Sequence, residues 1–183
     1  IKDKINLDFS IEETEKFYVN KINIFGNNVT SENVIRNQLE VDEGDPYNEI
    51  LLNKSINNIK SLNFFKDVQK EIIDSNDNNT KVVNIFIEEK PTGEISAQAG
   101  IGTDGGSVGF GIKENNFLGK GIGLDSNFII TAESFKGKFS VTNPNFRNSD
   151  RSIYFSAEAL ETDNYSKFGY KSNRIGFSLG TNF

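Results

Sequence analysis

The stretch that decides the fold is residues 90–103, which read KPTGEISAQAGIGT. It opens with Lys90-Pro91-Thr92-Gly93, where proline removes a backbone donor and glycine relaxes the chain. It continues with Glu94-Ile95-Ser96-Ala97-Gln98-Ala99-Gly100-Ile101-Gly102-Thr103, in which larger apolar or alanine side chains alternate with polar or glycine positions. Alternation with a period of two is the pattern of a β-strand with one apolar face. We therefore predict a domain boundary near Pro91, followed at once by a strand.

The composition differs on the two sides of this boundary. Residues 1–91 contain 11 Lys and Arg, 17 Asp and Glu, and 2 of the 16 glycines. Residues 92–183 contain 9 residues of each sign and the other 14 glycines. A charged, glycine-poor segment followed by a neutral, glycine-rich one indicates two domains.

The residue types that are missing exclude several kinds of chemistry. The 183 residues have a net charge of −6 and include no His, Cys, Met or Trp. Disulfides, thiolate or imidazole metal sites, and His-dependent nucleophilic catalysis are therefore excluded. The acidic balance argues against a nucleic-acid partner, because phosphate binding needs clustered cations. We expect no cofactor, no metal site and no enzyme activity. Because the chain opens without an initiator Met or a signal stretch, we expect it to lie within a longer protein.

The first half predicts a β-α-α-β-β order. Residues 17–25 read as a strand with apolar residues at 18, 22 and 24, and Gly26-Asn27-Asn28 turns it. Thr30 or Ser31 then caps a first helix, and Asn48 opens a second. A hairpin completes the unit, with strands predicted over 65–73 and 81–89. Such an order implies an α+β domain in which two helices cover one face of a small sheet.

A sequence pattern that recurs at the end of this unit also precedes it. Leu7, Phe9 and Ile11 alternate with polar residues and run into Glu12-Glu13, as Val83, Ile85 and Ile87 run into Glu88-Glu89. We predict that residues 1–15 are the last strand of a preceding repeat, followed by domains at 16–91 and 92–183. Two unrelated amphipathic strands are the alternative. In both acidic pairs the neighbours point to opposite faces of a strand, so they cannot share a proton.

The second half alternates almost throughout and predicts about six strands, most of 8–11 residues. That length suits a tilted strand that crosses a bilayer, so an outer-membrane lipid bilayer is the first partner we expect. A water-soluble β-sandwich alternates in the same way and stays open as an alternative. Lys136 and Lys138 belong to the polar face. Turns are expected over 115–121, 131–135, 143–151 and 161–171. The residues predicted to face lipid are Phe110, Ile112, Leu124, Phe128, Phe139, Phe155 and Phe177.

Several short motifs, in order along the chain, carry a resemblance to a known family. In the first half they are Ile24-Phe25-Gly26-Asn27-x-x-Thr30, Glu43-Gly44-Asp45-Pro46-Tyr47, Phe64-Phe65-x-x-Val68 and Ile87-Glu88-Glu89-Lys90-Pro91. In the second half they are Ala99-Gly100-Ile101-Gly102-Thr103, residues 114–121 (ENNFLGKG) and Ser140-Val141-Thr142-Asn143-Pro144-Asn145-Phe146. Together they resemble the BamA family of outer-membrane β-barrel assembly factors, also called bacterial surface antigen D15 proteins.

The resemblance implies a periplasmic POTRA domain, the one next to the barrel, followed by the first strands of an incomplete antiparallel transmembrane β-barrel. It implies a Gram-negative outer-membrane protein that inserts other β-barrel proteins without a reaction centre. Its partners would be nascent outer-membrane β-barrel proteins and the lipoproteins of an assembly complex.

Two strands are candidates for pairing with a substrate. The first barrel strand, Glu94 to Thr103, could template incoming strands at a weak seam; the alternative is that its small residues merely fit a crowded barrel wall. The edge strand of the POTRA hairpin could also pair with a substrate or partner, although its charges are those with which proteins protect an edge from pairing, which is the simpler interpretation. This second candidate comprises Val68, Gln69, Lys70, Glu71, Ile72 and Ile73.

Other functions stay open at this level. A POTRA-barrel transporter of the two-partner secretion type and a passive barrel channel would share most of these features. The acidic run at Glu40, Asp42, Glu43 and Asp45 could contact a partner lipoprotein, although a solvated helix end is the simpler interpretation.

Overall fold

The computed structural model describes residues 8, 10, 15–75, 79–102, 105–147, 149 and 151–182. The predicted strand within residues 1–15 lies outside these residues, except for single positions at 8, 10 and 15. The described elements are β1 (Tyr18–Phe25), α1 (Glu32–Arg36), α2 (Glu49–Ser61), β2 (Phe65–Asp74), β3 (Thr80–Glu89), β4 (Gly93–Gly102), β5 (Gly105–Phe117), β6 (Ile122–Thr131), β7 (Ser134–Asn143), β8 (Ser152–Asn164), α3 (Tyr165–Phe168) and β9 (Tyr170–Asn182).

Residues 17–90, here called the amino-terminal domain, have the predicted β-α-α-β-β order. Their three-stranded sheet has the order β1-β3-β2, with β1 parallel and β2 antiparallel to the central strand β3. Both longer helices pack on one face of this sheet. The buried hydrophobic side chains of the described residues form one cluster, and all of them belong to this domain: Val19, Ile22, Ile35, Val41, Leu52, Ile56, Ile59, Phe64, Phe65, Val68, Val83, Ile85 and Ile87.

Local sequence explains where these elements begin and which side chains they bury. The Asn48 side chain caps α2, since its Oδ1 accepts hydrogen bonds from the backbone N–H groups of Ile50 and Leu51. The predicted face of β1 is wrong at its first position. The pairing register shifts between Val19 and Lys21, so Val19 is buried and Tyr18 is 43% exposed. One extra residue in a bulge moves every earlier side chain to the opposite face.

The second half is an antiparallel meander of six strands, in the order β4-β5-β6-β7-β8-β9. Within the described residues β4 and β9 occupy the two outer edges, so the sheet is not closed. Three strands have 13 residues, which exceeds the expected 8–11. The turn predicted over 161–171 is shorter, because β8 continues to Asn164 and the helix α3 connects it directly to β9. No helix in the described ranges is long and apolar enough to cross a membrane.

The register of the meander sorts its side chains onto two faces. Phe110 pairs with Phe128 and Phe139 pairs with Ala157, and the same register then pairs Ala157 with Phe177. Glycines and polar residues make up most of the opposite face, which also carries Ile129 and Leu160. The predicted architecture, an α+β POTRA-type domain followed by about six antiparallel strands of an incomplete barrel, is confirmed.

Candidate functional site

The outer edge of β1 is covered by the loop between α1 and α2. The N–H of Val19 donates to the Asp45 carbonyl at 2.9 Å, and the N–H of Gly44 donates to the Val19 carbonyl at 2.7 Å. Further along the strand, the N–H of Ile22 donates to Glu43 Oε1 at 3.0 Å. Paired backbone groups cannot accept another strand. The motif at 43–47 therefore seals this side of the sheet.

The opposite edge of the same sheet, strand β2, is open. It pairs with β3 on one side, and no described residue forms a strand or a covering loop on its other side. Its first part is partly blunted, because the Asp67 carboxylate accepts the Val68 N–H at 2.8 Å. All six predicted edge residues lie in this strand. The structure thus leaves β2 as the side of the amino-terminal domain at which a strand could add.

Ion pairs flank this open edge. Lys66 Nζ lies 2.6 Å from Glu88 Oε1, and Lys81 Nζ lies 2.7 Å from Asp74 Oδ1. The Lys66–Glu88 pair is largely exposed and contributes little to stability, whereas in the second pair Asp74 is exposed and the Lys81 side chain is only 19% exposed. They nevertheless place charges at both ends of β2, which is one way in which proteins limit unspecific pairing of edge strands.

The first strand of the meander, β4, is the second open edge. All ten of its residues are exposed, including Ile95 at 82% and Ile101 at 95%. It pairs only with β5 within the described residues. Of the predicted templating residues, Glu94 to Gly102 lie in this strand, whereas Thr103 lies outside the described residues. Backbone groups along the outer side of an edge strand are available to a further strand.

The seven residues predicted to face lipid share one face of the meander. Phe110, Ile112, Phe128, Phe139, Phe155 and Phe177 are all exposed, and Leu124 is partly exposed. None of them belongs to the hydrophobic core of the chain. Large exposed apolar surfaces mark contact with lipid or with another protein.

The polar face of the meander carries a group of cations. Lys136, Lys138 and Arg174 line a cavity of about 340 Å³ together with Glu158 and the apolar Ile129 and Leu160. Nearby, the hydroxyls of Ser156 and Ser178 are 2.7 Å apart across β8 and β9. Both lysines therefore lie on the polar face, as expected.

A third feature, which sequence reasoning did not locate, joins the two halves. We call it the joint: Glu89, residues 28–31 and residues 116–121. Glu89 Oε2 accepts the N–H groups of Asn28 and Val29 at 2.9 Å, and its Oε1 accepts the N–H of Thr30 at 2.6 Å. Burial raises the pKa of Glu89, but hydrogen bonds from the Thr30 hydroxyl and from these three N–H groups outweigh burial and lower the pKa below the ordinary value.

The Thr30 hydroxyl links Glu89 to the second half of the chain. It accepts a hydrogen bond from Asn116 Nδ2 at 2.9 Å, and Asn116 Oδ1 accepts the N–H of Gly121 at 2.7 Å. Thr30 is 3% exposed and Asn116 is 5% exposed. A buried polar pair of this kind is stable only while its partners are in place. The joint therefore fixes the first turn of the meander that faces the amino-terminal domain.

Glycine makes the close approach in the joint possible. Gly119 has φ +70°, and a Cβ there would overlap the carbonyl oxygen of Val29. Its own carbonyl accepts the N–H of Ser31 at 2.8 Å. Three of the family-like motifs, at 24–30, 87–91 and 114–121, thus meet at one place. The sequence showed the three motifs, but their spacing along the chain does not reveal that they meet in space.

The acidic run is largely engaged inside the domain. Glu40 Oε1 lies 2.9 Å from Lys54 Nζ, and Asp45 Oδ2 accepts the N–H of Asp42 at 2.8 Å. Glu43 Oε1 bonds to the edge of β1, as described above. No group of three or more carboxylates in the described residues could hold a metal ion.

Comparison with known proteins agrees with this architecture. The POTRA family model, described as "Surface antigen variable number repeat", matches residues 17–90. The outer membrane protein assembly factor BamA of Neisseria meningitidis serogroup B is 32% identical over 138 residues, which is 74% of this chain and 17% of the relative. The BamA of Nitratidesulfovibrio vulgaris is 26% identical over 185 residues, covering 96% of this chain and 22% of the relative. The chain thus spans about a fifth of the length of these relatives.

Solved structures give the same result. The crystal structure of BamA from Haemophilus ducreyi lacking POTRA domains 1–3 matches with a TM-score of 0.79 at 25% identity, over 92% of this chain and 32% of that one. CdiB from Acinetobacter baumannii matches with a TM-score of 0.58 at 15% identity, over 91% of this chain and 34% of that one, which shows a shared fold alone. With the POTRA match, the BamA relatives and the meander register taken together, the chain contains a POTRA domain followed by six antiparallel strands, and it is similar to a fragment of the proteins named outer membrane protein assembly factor BamA.

Proposed function

We propose that this chain is part of an assembly factor that inserts and folds β-barrel proteins into the outer membrane of a Gram-negative bacterium. In this proposal residues 16–91 are the periplasmic POTRA domain next to the barrel, and residues 92–183 are the first part of the barrel. Residues 1–15 are the last strand of a preceding POTRA repeat. The observation that carries the proposal is strand β4, whose ten residues are all exposed and which has an open edge within the described residues. The names of the relatives at 26–32% identity, which are assembly factors, support the same role.

The physical task is to hydrogen-bond the backbone of an incoming strand before it meets lipid. Each unpaired N–H or C=O in hydrocarbon costs several kcal/mol. An open strand edge offers partners for these groups, so strand addition at β4 lowers the cost of insertion without ATP or a catalytic residue. Gly100, Gly102 and the two alanines of β4 have small side chains that bury little surface, so side-chain packing between β4 and β5 is weak.

Proline substitutions in β4 test this templating role in the full-length protein. Ile95→Pro and Ala99→Pro each remove a backbone donor, whereas Ile95→Val and Ala99→Ser retain it and serve as matched controls. We expect both proline variants, and neither control, to lower the level of folded outer-membrane proteins in cells depleted of the wild type. Unimpaired outer-membrane assembly in the proline variants, with the amino-terminal domain still folded, would refute the templating role.

Contact with lipid is the second part of the proposal, and it concerns the face that carries the seven predicted residues. These 183 residues contain no Trp, so in the full-length protein, with any Trp elsewhere replaced by Phe, a single introduced Trp reports on its surroundings. We expect fluorescence of Phe139→Trp to be quenched by lipids with brominated acyl chains, and that of Lys138→Trp on the opposite face to be quenched far less. Equal quenching would argue against the assigned faces. Solubility of segment 92–183 without detergent would favour a sandwich.

The secretion and channel alternatives have less support. Likeness to CdiB rests on the fold alone at 14–15% identity. Assembly-complex lipoproteins are part of the proposal through the family resemblance. The acidic run is exposed and therefore accessible to them, although the carboxylates of Glu40, Glu43 and Asp45 also bond within the domain.

A further inference from the structure

Lys70 occupies an unusual place in the open edge strand β2. Its cross-strand partner is Ile85, which is fully buried, and its neighbours on the same face, Val68 and Ile72, pair with Ile87 and Val83. This is the face that the helices cover. A lysine therefore stands in the middle of an otherwise apolar row, on the inner face of the sheet and at its edge.

The ammonium group of Lys70 has little compensation there. Its Nζ atom is buried and makes no hydrogen bond. The nearest charge is Glu49 Oε1 at the start of α2, at 3.7 Å. An ammonium has three donors and normally satisfies them with water or acceptors. A buried cation without acceptors is costly, and covering it with a further apolar layer raises that cost.

A strand that added to β2 would extend this inner face by one more row. Its side chains opposite Val68 and Ile72 would meet apolar neighbours, and the side chain between them would lie beside Lys70. An apolar residue there would cover what remains exposed of the Lys70 side chain, which is 21% exposed, and would give the ammonium no acceptor, whereas a carboxylate would supply one. Specificity arises in this way when one partner leaves a charge unpaired and another does not.

We propose that Lys70 makes the open edge of the amino-terminal domain selective for extended segments with an Asp or Glu between two apolar residues on the same face. The inference rests on the proposed strand addition and names its substrate class. The selection depends on position and not on overall charge. On the outer face of β2, Glu71 bonds to the Asn84 side chain, and Asp67 bonds to Gln69, so a carboxylate shifted by one residue would face acidic neighbours.

Two fluorescent peptides of identical composition test the proposal with the full-length protein in detergent. Both alternate Val and Thr. In the first, Asp stands between two Val residues on the Val face; in the second, Asp is exchanged with the adjacent Thr and so lies on the other face. Hydrogen exchange of the Val68–Ile73 amides identifies binding at β2. We expect the first peptide to bind on the order of tenfold more tightly, the discrimination that one compensated charge can supply.

Variants at Lys70 assign that preference. Lys70→Met removes the charge but keeps an unbranched apolar side chain, so the domain should stay folded. The preference for the first peptide should disappear or reverse, because its carboxylate would then face only apolar side chains. Lys70→Arg should retain the preference. Equal binding of both peptides to the wild type, with protection of Val68–Ile73, overturns the selectivity and leaves strand addition intact. Absence of any protection overturns strand addition at β2, and the inference with it, but leaves the role of β4 untouched.

Discussion

Replacing Thr30 by valine should loosen the joint between the two halves of the protein. Valine has nearly the shape of threonine but lacks the hydroxyl that bonds to both Glu89 and Asn116. The substitution leaves the buried Asn116 amide without its acceptor, which costs about 1–3 kcal/mol. The opening equilibrium of the joint should therefore shift toward the open form by about 5- to 140-fold, at 1.4 kcal/mol for each factor of ten.

Hydrogen exchange of two backbone amides reads this shift directly. The Ser31 N–H is held by the Gly119 carbonyl at 2.8 Å, and the Gly121 N–H by Asn116 Oδ1 at 2.7 Å. Both become accessible when the joint opens, so in Thr30→Val both should exchange faster by a factor in the stated range. Thr142→Val makes the same chemical change at an exposed strand position and serves as the matched control.

The combination with Asn116→Leu isolates the bond itself. If Thr30 and Asn116 act as a pair, the double variant should cost less than the sum of the two single variants. Wild-type exchange at Ser31 and Gly121 in Thr30→Val would refute the view that the hydroxyl holds the joint. Acceleration throughout the amino-terminal domain would point to a loss of its global stability instead.

Three more predictions concern particular residues. Gly119→Ala should lower the melting temperature more than Gly44→Ala. Both glycines have positive φ, which costs alanine about 1–2 kcal/mol, but only at Gly119 would the Cβ overlap a backbone carbonyl. Equal losses of melting temperature would contradict this. The lowered pKa of Glu89 means that its contribution is complete above the ordinary glutamate pKa of about 4.3 and is lost as the pH falls through the lower folded-state pKa. The protection factor of the Ser31 amide, which is the ratio of its intrinsic to its observed exchange rate at each pH, should therefore fall in acid, and Glu89→Gln should remove most of this fall. A wild-type protection factor that does not change with pH would oppose the assignment. Gly180→Ala should destabilise the pairing of β8 with β9 by about 1–3 kcal/mol in denaturant unfolding, because the new Cβ would overlap the Tyr154 ring. Gly102→Ala has open space around the new Cβ and should change stability by less than about 1 kcal/mol, through the difference in β-propensity between glycine and alanine alone. The reverse order of the two effects would refute the packing argument.

Much of the fold could be predicted because a period of two is visible in sequence. Within one strand, residues separated by an even number share a face. Phe110 pairs with Phe128, and Phe139 pairs with a residue two positions from Phe128, so all three lie on the same face of the sheet. The bulge at Val19 to Lys21 broke the same rule. No glycine or other typical bulge residue marks this position in the sequence, so the bulge and the resulting exposure of Tyr18 were not predicted.

The joint could not be predicted, because it depends on distance in space. Thr30 and Asn116 are 86 residues apart; Thr30 lies in the loop after β1, and Asn116 lies at the end of β5, where its register shifts. Polar residues in turns are usually solvated, and only the three-dimensional structure reveals that these two are buried against each other. The extension of β8 to Asn164 was missed for a related reason, since its last residues are polar and resemble a loop.

The sealed edge of β1 has a consequence for association between molecules. A small sheet with two free sides can recruit a copy of itself on each side, and such recruitment continues into fibres. Here the loop that carries Gly44 and Asp45 occupies one side, so a guest strand can arrive only at β2. The domain can therefore bind one added strand at a time. Two domains could still pair through their β2 edges, but the covered β1 edge prevents further domains from adding to such a pair.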